Sequence, residues 1–243
     1  MKPFLTVFIP AYNEEANLAH CVEVVRLKMG ELNVACEILI IDDASRDGTA
    51  AMADELTARW GSVHVVHHPR NLGIGGAFIT ALSQAQGEWL ILIPADLALE
   101  PGELHRYIDV SSQADVVVGL RSDRSDYTLL RQLVSWTNIH LIQTLFGMEL
   151  RQFQYISMYR MDVLRGMSVE YARSAFFLAE VLIKARDLGY RLAEVEIRYA
   201  PRLNGKPTGA KLRLVVNTVI DIFRFWLRWM PARAHIQYRH KTT

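Results

Sequence analysis

The sequence predicts an α/β fold: one domain spanning residues 1–243, with a mostly parallel central sheet flanked by helices. Three observations carry that expectation. Short apolar runs alternate with helical patterns through the first 120 residues, the rhythm of a doubly wound sheet. Most of those runs are continuously apolar rather than alternating, as expected of strands covered on both faces. Two of them end abruptly in polar clusters, Pro10-Ala11-Tyr12-Asn13-Glu14-Glu15 and Asp42-Asp43-Ala44-Ser45-Arg46-Asp47-Gly48-Thr49. Ligands of open α/β sheets bind beyond the carboxyl ends of the strands.

Strands are expected at 5–9, 37–41, 63–67, 89–93 and 115–119, with helices at 14–29, 48–59, 75–86 and 101–112. Pro101 suits a first helical turn, where its missing N–H is harmless. The second half is less regular. Residues 124–147 read as one or two amphipathic helices over the site, 155–160 as a strand, and 175–188 as a helix stopped by Gly189. In 191–199, Leu192, Val195 and Ile197 alternate with Arg191, Glu194, Glu196 and Arg198. Two prolines and two glycines make 200–210 a loop. A last amphipathic helix runs from about 211 to 230. Along it Val215, Val219, Ile222, Phe223, Trp226 and Trp229 recur at helical spacing, with Arg213, Arg224 and Arg228 among them. That stripe suits packing on the core and equally suits lying in a membrane interface.

The formal net charge of +1 names no partner, but its distribution is uneven. Residues 1–120 hold 7 Lys/Arg and 16 Asp/Glu, whereas from Arg202 onward there are 9 Lys/Arg and one acid, Asp221. An acidic front suits a metal and sugar hydroxyls; a basic tail suits phosphates or an anionic membrane surface. Nucleic acid is not an expected partner. Cys21 and Cys36 read as reduced thiols of a cytoplasmic protein. Met1-Lys2-Pro3 leads straight into a strand rather than a signal peptide. No segment reaches the ~20 uninterrupted apolar residues of a membrane span. The nearest, 212–230, is broken by Arg213, Asp221, Arg224 and Arg228.

Asp96 follows the apolar run Leu90-Ile91-Leu92-Ile93 and so falls at the sheet rim. There a carboxylate can hold a hard divalent cation, Mg²⁺ or Mn²⁺, against a diphosphate. Of Asp42 and Asp43, one is expected to face the ligand and the other to bond local backbone. Asp47-Gly48-Thr49 suits capping or ligand contact alike. Gly73, Gly75 and Gly76 precede or open a helix, where they could cradle phosphate or permit close packing. His67 and His68 have no further ligands at metal spacing. Arg121 ends the fifth strand, and Arg131 and Ser135 follow on the amphipathic segment, a set that can bind phosphate. Arg202, Lys206 and Lys211 flank the later loop as a cationic lid.

These residues in this order resemble the nucleotide-sugar transferases of glycosyltransferase family two, which have the GT-A (Rossmann-like) fold. The likeness is to the dolichol-phosphate mannose synthase-like branch, which transfers sugar to polyprenyl phosphates. Its anchors are Ile9-Pro10-Ala11-Tyr12-Asn13-Glu14, Ile41-Asp42-Asp43 through Thr49, Asn71-Leu72-Gly73, Ala95-Asp96-Leu97 and Leu188-Gly189-Tyr190-Arg191. The resemblance implies that Pro10, Tyr12, Glu14 and one of Asp42 and Asp43 hold the donor nucleotide, and that Asp96 holds the metal and diphosphate. It implies that Arg121, Arg131 and Ser135 take the acceptor phosphate, and that Arg202 and Lys211 close on the donor. Two departures stand out. Pro94 and Ala98 occupy places where the family has Asp and Gln. Phe153-Gln154-Tyr155-Ile156-Ser157-Met158 replaces its Thr-Ser-Gly-Phe-Arg segment.

The implied reaction moves a hexosyl group from a nucleoside diphosphate sugar to a polyprenyl phosphate with inversion. Asp96, Arg121 and Arg131 would carry catalysis, at the cytoplasmic face of a membrane or on a membrane partner subunit. Two rival readings remain at this level. One is transfer to a saccharide hydroxyl in polysaccharide assembly, with Glu180 as base. The other is a nucleotide-sugar-binding protein with weakened catalysis.

Overall fold

The computed structural model describes residues 2–123, 128–198 and 212–241. Among these residues seven strands form one sheet: β1 Leu5–Ala11, β2 Cys36–Asp42, β3 Val63–His67, β4 Trp89–Leu92, β5 Val116–Arg121, β6 Ser157–Arg160 and β7 Leu192–Ile197. Their spatial order is β3-β2-β1-β4-β6-β5-β7. Only β6 runs antiparallel to its neighbours, so β1, β2, β4, β5 and β7 all end at the same rim. From β1 the chain builds outward through β2 and β3, then returns to place β4 on the other side. That reversal opens a crevice between the carboxyl ends of β1 and β4.

The continuous apolar runs are explained by two cores. Phe8, Leu39, Ile41, Leu90 and Leu92 face one; Leu5, Val7, Ile9, Ile38, Ile40 and Ile91 face the other. The first core is closed by α3 (Gly73–Gln84), α7 (Phe177–Asp187) and parts of α5 (Leu129–Phe146) and α8 (Leu212–Lys241). The second is closed by α1 (Leu18–Glu31), α2 (Thr49–Arg59) and α4 (Leu104–Val110). The short α6, Met161–Arg165, follows β6. Gly75 explains how closely α3 packs: a Cβ there would lie 1.8 Å from the Ala172 carbonyl oxygen.

Several boundaries differ from the sequence reading. Residues expected as a helix from 14 begin instead with a loop, and α1 starts at Leu18. The helix expected over 101–112 opens as a 3₁₀ turn, Pro101–Glu103, before α4. Leu129–Phe146 is one helix, capped by Thr128 at its start and by left-handed Gly147 at its end. Gly189, at φ +88°, follows α7 as expected. The last helix does not stop near 230. It runs through Pro231 to Lys241, helped by Arg233, which donates to the Phe146 carbonyl at 3.1 Å and pairs with Asp187 at 3.3 Å.

The apolar stripe of α8 is also placed differently. Ile222 and Phe225 are fully buried, whereas Phe223 is 42 % exposed. Beneath the helix lies a buried ionic cluster. Lys184 bonds Glu180 at 2.7 Å, Glu170 at 3.0 Å and the Ser168 carbonyl at 2.8 Å, with the Phe225 and Trp229 rings over its ammonium. Glu180 also accepts the backbone N–H groups of Glu170 and Tyr171, each at 2.8 Å. A carboxylate so enclosed cannot reach a sugar hydroxyl, so Glu180 is a packing residue and not a base.

Candidate active site

The loops after β1 and β2 are laced together by side chains. Asn13 sits at φ +58°; its N–H donates to Ser45 Oγ at 3.0 Å, and its side-chain oxygen accepts Arg46 N–H at 2.8 Å. Glu14 N–H donates to Thr49 Oγ1 at 2.8 Å, and Glu15 accepts Gly48 N–H at 2.9 Å. The Glu14 carboxylate takes the Asn17 amide at 2.8 Å. Tyr12, beside Pro10, is left 43 % exposed on this frame, its ring open to a stacking partner. Asp47 binds both the N–H and the hydroxyl of Thr49, so capping is its structural role.

Asp42 and Asp43 both make bonds within the scaffold. Both are buried, and both brace the scaffold. Asp42 accepts Ser45 N–H at 3.0 Å and bonds His67 Nδ1 at 2.9 Å. Asp43 bonds His68 Nδ1 at 2.7 Å and accepts the N–H groups of Leu72 and Gly73 at 2.7 and 2.8 Å. Those two N–H groups are the donors a phosphate would need at the start of α3. Asp43 occupies them, and with Gly75 packed on Ala172 the glycine-rich turn reads as structural.

His67 is clamped from both sides, by Asp42 and, through Nε2 at 3.2 Å, by Asp54 on α2. The bond to Asp42 raises its pKa above the ordinary 6.5, with Asp54 adding to the effect. For Asp42, burial acts upward but the bonds from His67 and Ser45 outweigh it, and its pKa falls below 3.8. His67 therefore contributes fully below its unfolded-state value and loses that contribution as pH rises through its raised folded value. Asp42 contributes above 3.8 and loses its share as pH falls through its depressed value. The clamp is tightest between the two. The melting-temperature gap between the native protein and His67→Gln is expected to shrink steadily from pH 6 to pH 9. A gap constant across that range contradicts the clamp.

Asp96 lies in the turn after β4, not at a helix N-cap. The Cys21 thiol lies behind this turn, bonded to the Pro94 carbonyl at 3.7 Å. Burial chiefly, then Asp96 and Glu14, push that thiol's pKa well up. Asp96 and Glu14 both follow neighbouring strands, β4 and β1, at the same rim of the sheet. No group of three or more metal-ligating side chains occurs among the described residues. One carboxylate fits Mg²⁺ or Mn²⁺ when diphosphate oxygens and water complete the shell, the usual arrangement for Mg²⁺ at phosphate sites.

Across the rim, Arg121 ends β5 and is nearly buried, its Nε donating to the Asp123 carbonyl at 2.6 Å. The Gln152 side chain grips Arg121's backbone from both sides, accepting its N–H at 3.2 Å and donating to its carbonyl at 3.1 Å. Arg121, Arg131 and Ser135 line one cavity of about 420 Å³ between α5 and α8, whose walls include Leu133, Val134, Val215 and Val219. The three residues expected to take a phosphate thus line the same cavity, whose lining mixes apolar side chains with Thr137, Asn138, Gln152, Gln154 and Thr218. Arg202, Lys206 and Lys211 lie outside the described residues. Sequence reasoning missed Gln152 and Tyr155, which show no local pattern, and the lacing role of Asn13 and Ser45.

A mostly parallel sheet whose strand order reverses between β1 and β4, with a cavity holding two arginines near the same rim, is the plan of a GT-A nucleotide-sugar transferase. The model of the family named Glycosyl transferase family 2 matches residues 6–176, and the chain belongs to that family. It is 29 % identical over 245 residues to undecaprenyl-phosphate mannosyltransferase of Micrococcus luteus, covering 94 % of this chain and 97 % of that one. It is 30 % identical over 229 residues to undecaprenyl-phosphate 4-deoxy-4-formamido-L-arabinose transferase of Pseudomonas aeruginosa, covering 91 % of this chain and 66 % of that one. Among solved structures, the mannosyltransferase PcManGT from Pyrobaculum calidifontis, in complex with GDP-Man and Mn²⁺, superposes with a TM-score of 0.68. Its identity is 17 %, with 94 % of this chain and 65 % of that chain covered. Glucosyl-3-phosphoglycerate synthase from Mycobacterium tuberculosis, with Mn²⁺, UDP and glucosyl-3-phosphoglycerate, gives 0.67 at 20 % identity over 90 % of this chain and 80 % of that one. The chain is a nucleotide-sugar-dependent glycosyltransferase.

Proposed function

We propose that the chain transfers a hexosyl group from a nucleoside diphosphate sugar to a polyprenyl phosphate, inverting the anomeric centre. The observation that carries this reading is the cavity between α5 and α8, where Arg121, Arg131 and Ser135 meet an apolar lining. That combination suits a ligand with an anionic head and a hydrocarbon tail. The two undecaprenyl-phosphate transferases among its relatives support it.

The donor would lie over β1 and β2, its base against Tyr12 and its ribose near Glu14. Asp42 and Asp43 would act by holding the loops that shape this pocket. Asp96 would hold Mg²⁺ or Mn²⁺, which when bound neutralises charge on the diphosphate. Arg202 and Lys211 are assigned to the donor by the family resemblance alone. An acceptor phosphate is already an anion, so its oxygen attacks the anomeric carbon without losing a proton to the protein. The bond from that carbon to the diphosphate oxygen breaks, and the nucleoside diphosphate departs with the electron pair. Arg121 and Arg131 orient the attacking phosphate, so that catalysis rests on positioning and electrostatics. Transfer to a sugar hydroxyl needs a base, and Glu180 is enclosed by Lys184 and two backbone N–H groups.

Access to a lipid acceptor calls for contact with a membrane. Among the described residues no helix is long and apolar enough to cross one. Leu129, Leu130, Leu133 and Trp136 on α5 are 84, 65, 59 and 56 % exposed, and Phe223 and Leu227 project from α8 beside Arg224 and Arg228. Apolar side chains interleaved with arginines suit the interface of an anionic cytoplasmic leaflet. The function is tested by incubating the protein with Mg²⁺, a short-chain polyprenyl phosphate and labelled nucleotide sugars. Label passing into the organic phase with one donor is the expected result. Label appearing only on added saccharide would overturn the reading.

A further inference from the structure

The turn that carries Asp96 is buried loop backbone. Ala95, Leu97, Ala98 and Leu99 are all at least nine-tenths buried, and Leu97 adopts φ +48°. A leucine holds that left-handed conformation only where its surroundings enforce it. Buried carbonyls also need partners. The Pro94 carbonyl accepts Leu97 N–H at 2.9 Å, and the Leu97 carbonyl accepts Leu99 N–H at 2.6 Å. The Ala98 carbonyl takes the Tyr155 hydroxyl at 3.1 Å. Glu100 N–H donates to the Arg198 carbonyl at 3.1 Å, tying the far end of the turn to the end of β7.

Tyr155 also lines the cavity that contains Arg121 and Arg131. It stands in the segment through which Gln152 clasps the Arg121 backbone and Gln154 donates to the Ala175 carbonyl at 3.2 Å. One short stretch therefore touches the acceptor groove, the root of α7 and the turn two residues beyond Asp96.

We propose that Tyr155 is a positioning residue that makes the two substrates bind cooperatively: it borders the acceptor cavity and, through its hydroxyl, holds the turn that presents Asp96 to the donor diphosphate. The inference rests on the donor and acceptor assignments made above. An acceptor filling the groove confines Tyr155, and a confined Tyr155 keeps the Ala98 carbonyl and the left-handed Leu97 in place. Asp96 is then ordered before the diphosphate arrives. Linkage requires the converse: a diphosphate seated on Asp96 must tighten the acceptor by the same factor.

The test is calorimetric titration of the full chain with GDP or UDP in Mg²⁺, with and without a short-chain polyprenyl phosphate, and then in the reverse order. In the native protein each ligand is expected to tighten the other by about 5-fold or more, the lower end of ordinary coupling. In Tyr155→Phe both ligands still bind, and the factor falls to near one. A residue that merely supported the fold would weaken each ligand alone and leave the factor intact. Tyr155→Leu is a second variant without the hydroxyl and carries the same expectation if the Phe variant fails to fold. A factor of one in the native protein, or an undiminished factor in the variants, overturns the proposal. Native protein that binds both ligands independently sinks this inference only; native protein that binds neither sinks the proposed function itself.

Discussion

Arg121→Ala is expected to cut sugar transfer by about 10²–10³-fold while leaving donor binding unchanged. Arg121 is nearly buried at the end of β5, its backbone gripped by Gln152, and it lines the cavity between α5 and α8. A guanidinium held in place so firmly offers a phosphate two parallel charge-assisted bonds at little further entropic cost. Breaking a buried ionic contact costs on the order of 3–4 kcal/mol, which at 1.36 kcal/mol per decade gives the stated loss. Nucleoside diphosphate affinity should stay within about twofold, because the donor crevice lies between β1 and β4 and β6 stands between it and β5. Arg121→Lys keeps the charge and loses the fork, so its activity should fall between the two. Steady-state kinetics against acceptor concentration, with donor titrations alongside, read both effects. A variant with native acceptor kinetics would remove Arg121 from the acceptor site.

Asp96→Asn is expected to lower transfer by about 10³-fold, roughly 4 kcal/mol of transition-state stabilisation. The substitution preserves shape and removes the charge that a divalent ion needs. The described residues hold no group of three or more metal-ligating side chains to take over. Nucleoside diphosphate binding should lose its dependence on Mg²⁺, a readout independent of turnover. The thermal shift given by nucleotide with metal should then equal the shift given by nucleotide alone. Native-like metal dependence in the variant would move the cation away from Asp96.

The strands were readable because burial on both faces leaves a plain signature: β1 to β5 contain the apolar runs, within a residue or two. Their ends were harder. Residues from Glu14 to Asn17 have helical composition, yet bonds from Thr49, Asp47 and Asn17 hold them as a loop, and two of those three come from the neighbouring strand's turn. Helix α8 shows a related limit. Phe223 and Phe225 differ by two positions, about 200° around a helix, and only the packed partners Phe146, Phe176 and Lys184 decide which one is inside.

The candidate site divides in the same way. Asp96 and Arg121 were legible because each is a charged side chain at the end of an apolar strand. Asp42 and Asp43 were legible as rim carboxylates, but their bracing role depends on His67, His68 and the Leu72 and Gly73 N–H groups, all 25 to 30 residues away. Gln152 and Tyr155 act on the backbone of distant residues, and no residue pattern advertises that. Glu180 failed as a base because an acid four residues before a lysine on an apolar helix face signals an internal pair.

A crystal structure of the chain with Mg²⁺, a nucleoside diphosphate and a short-chain polyprenyl phosphate tests the central claim most directly. The account predicts diphosphate density over the β1/β4 crevice beside Asp96, and the lipid phosphate between Arg121 and Arg131 with its chain running between α5 and α8. Lipid phosphate bound elsewhere, with that groove empty and the diphosphate in place, would contradict it.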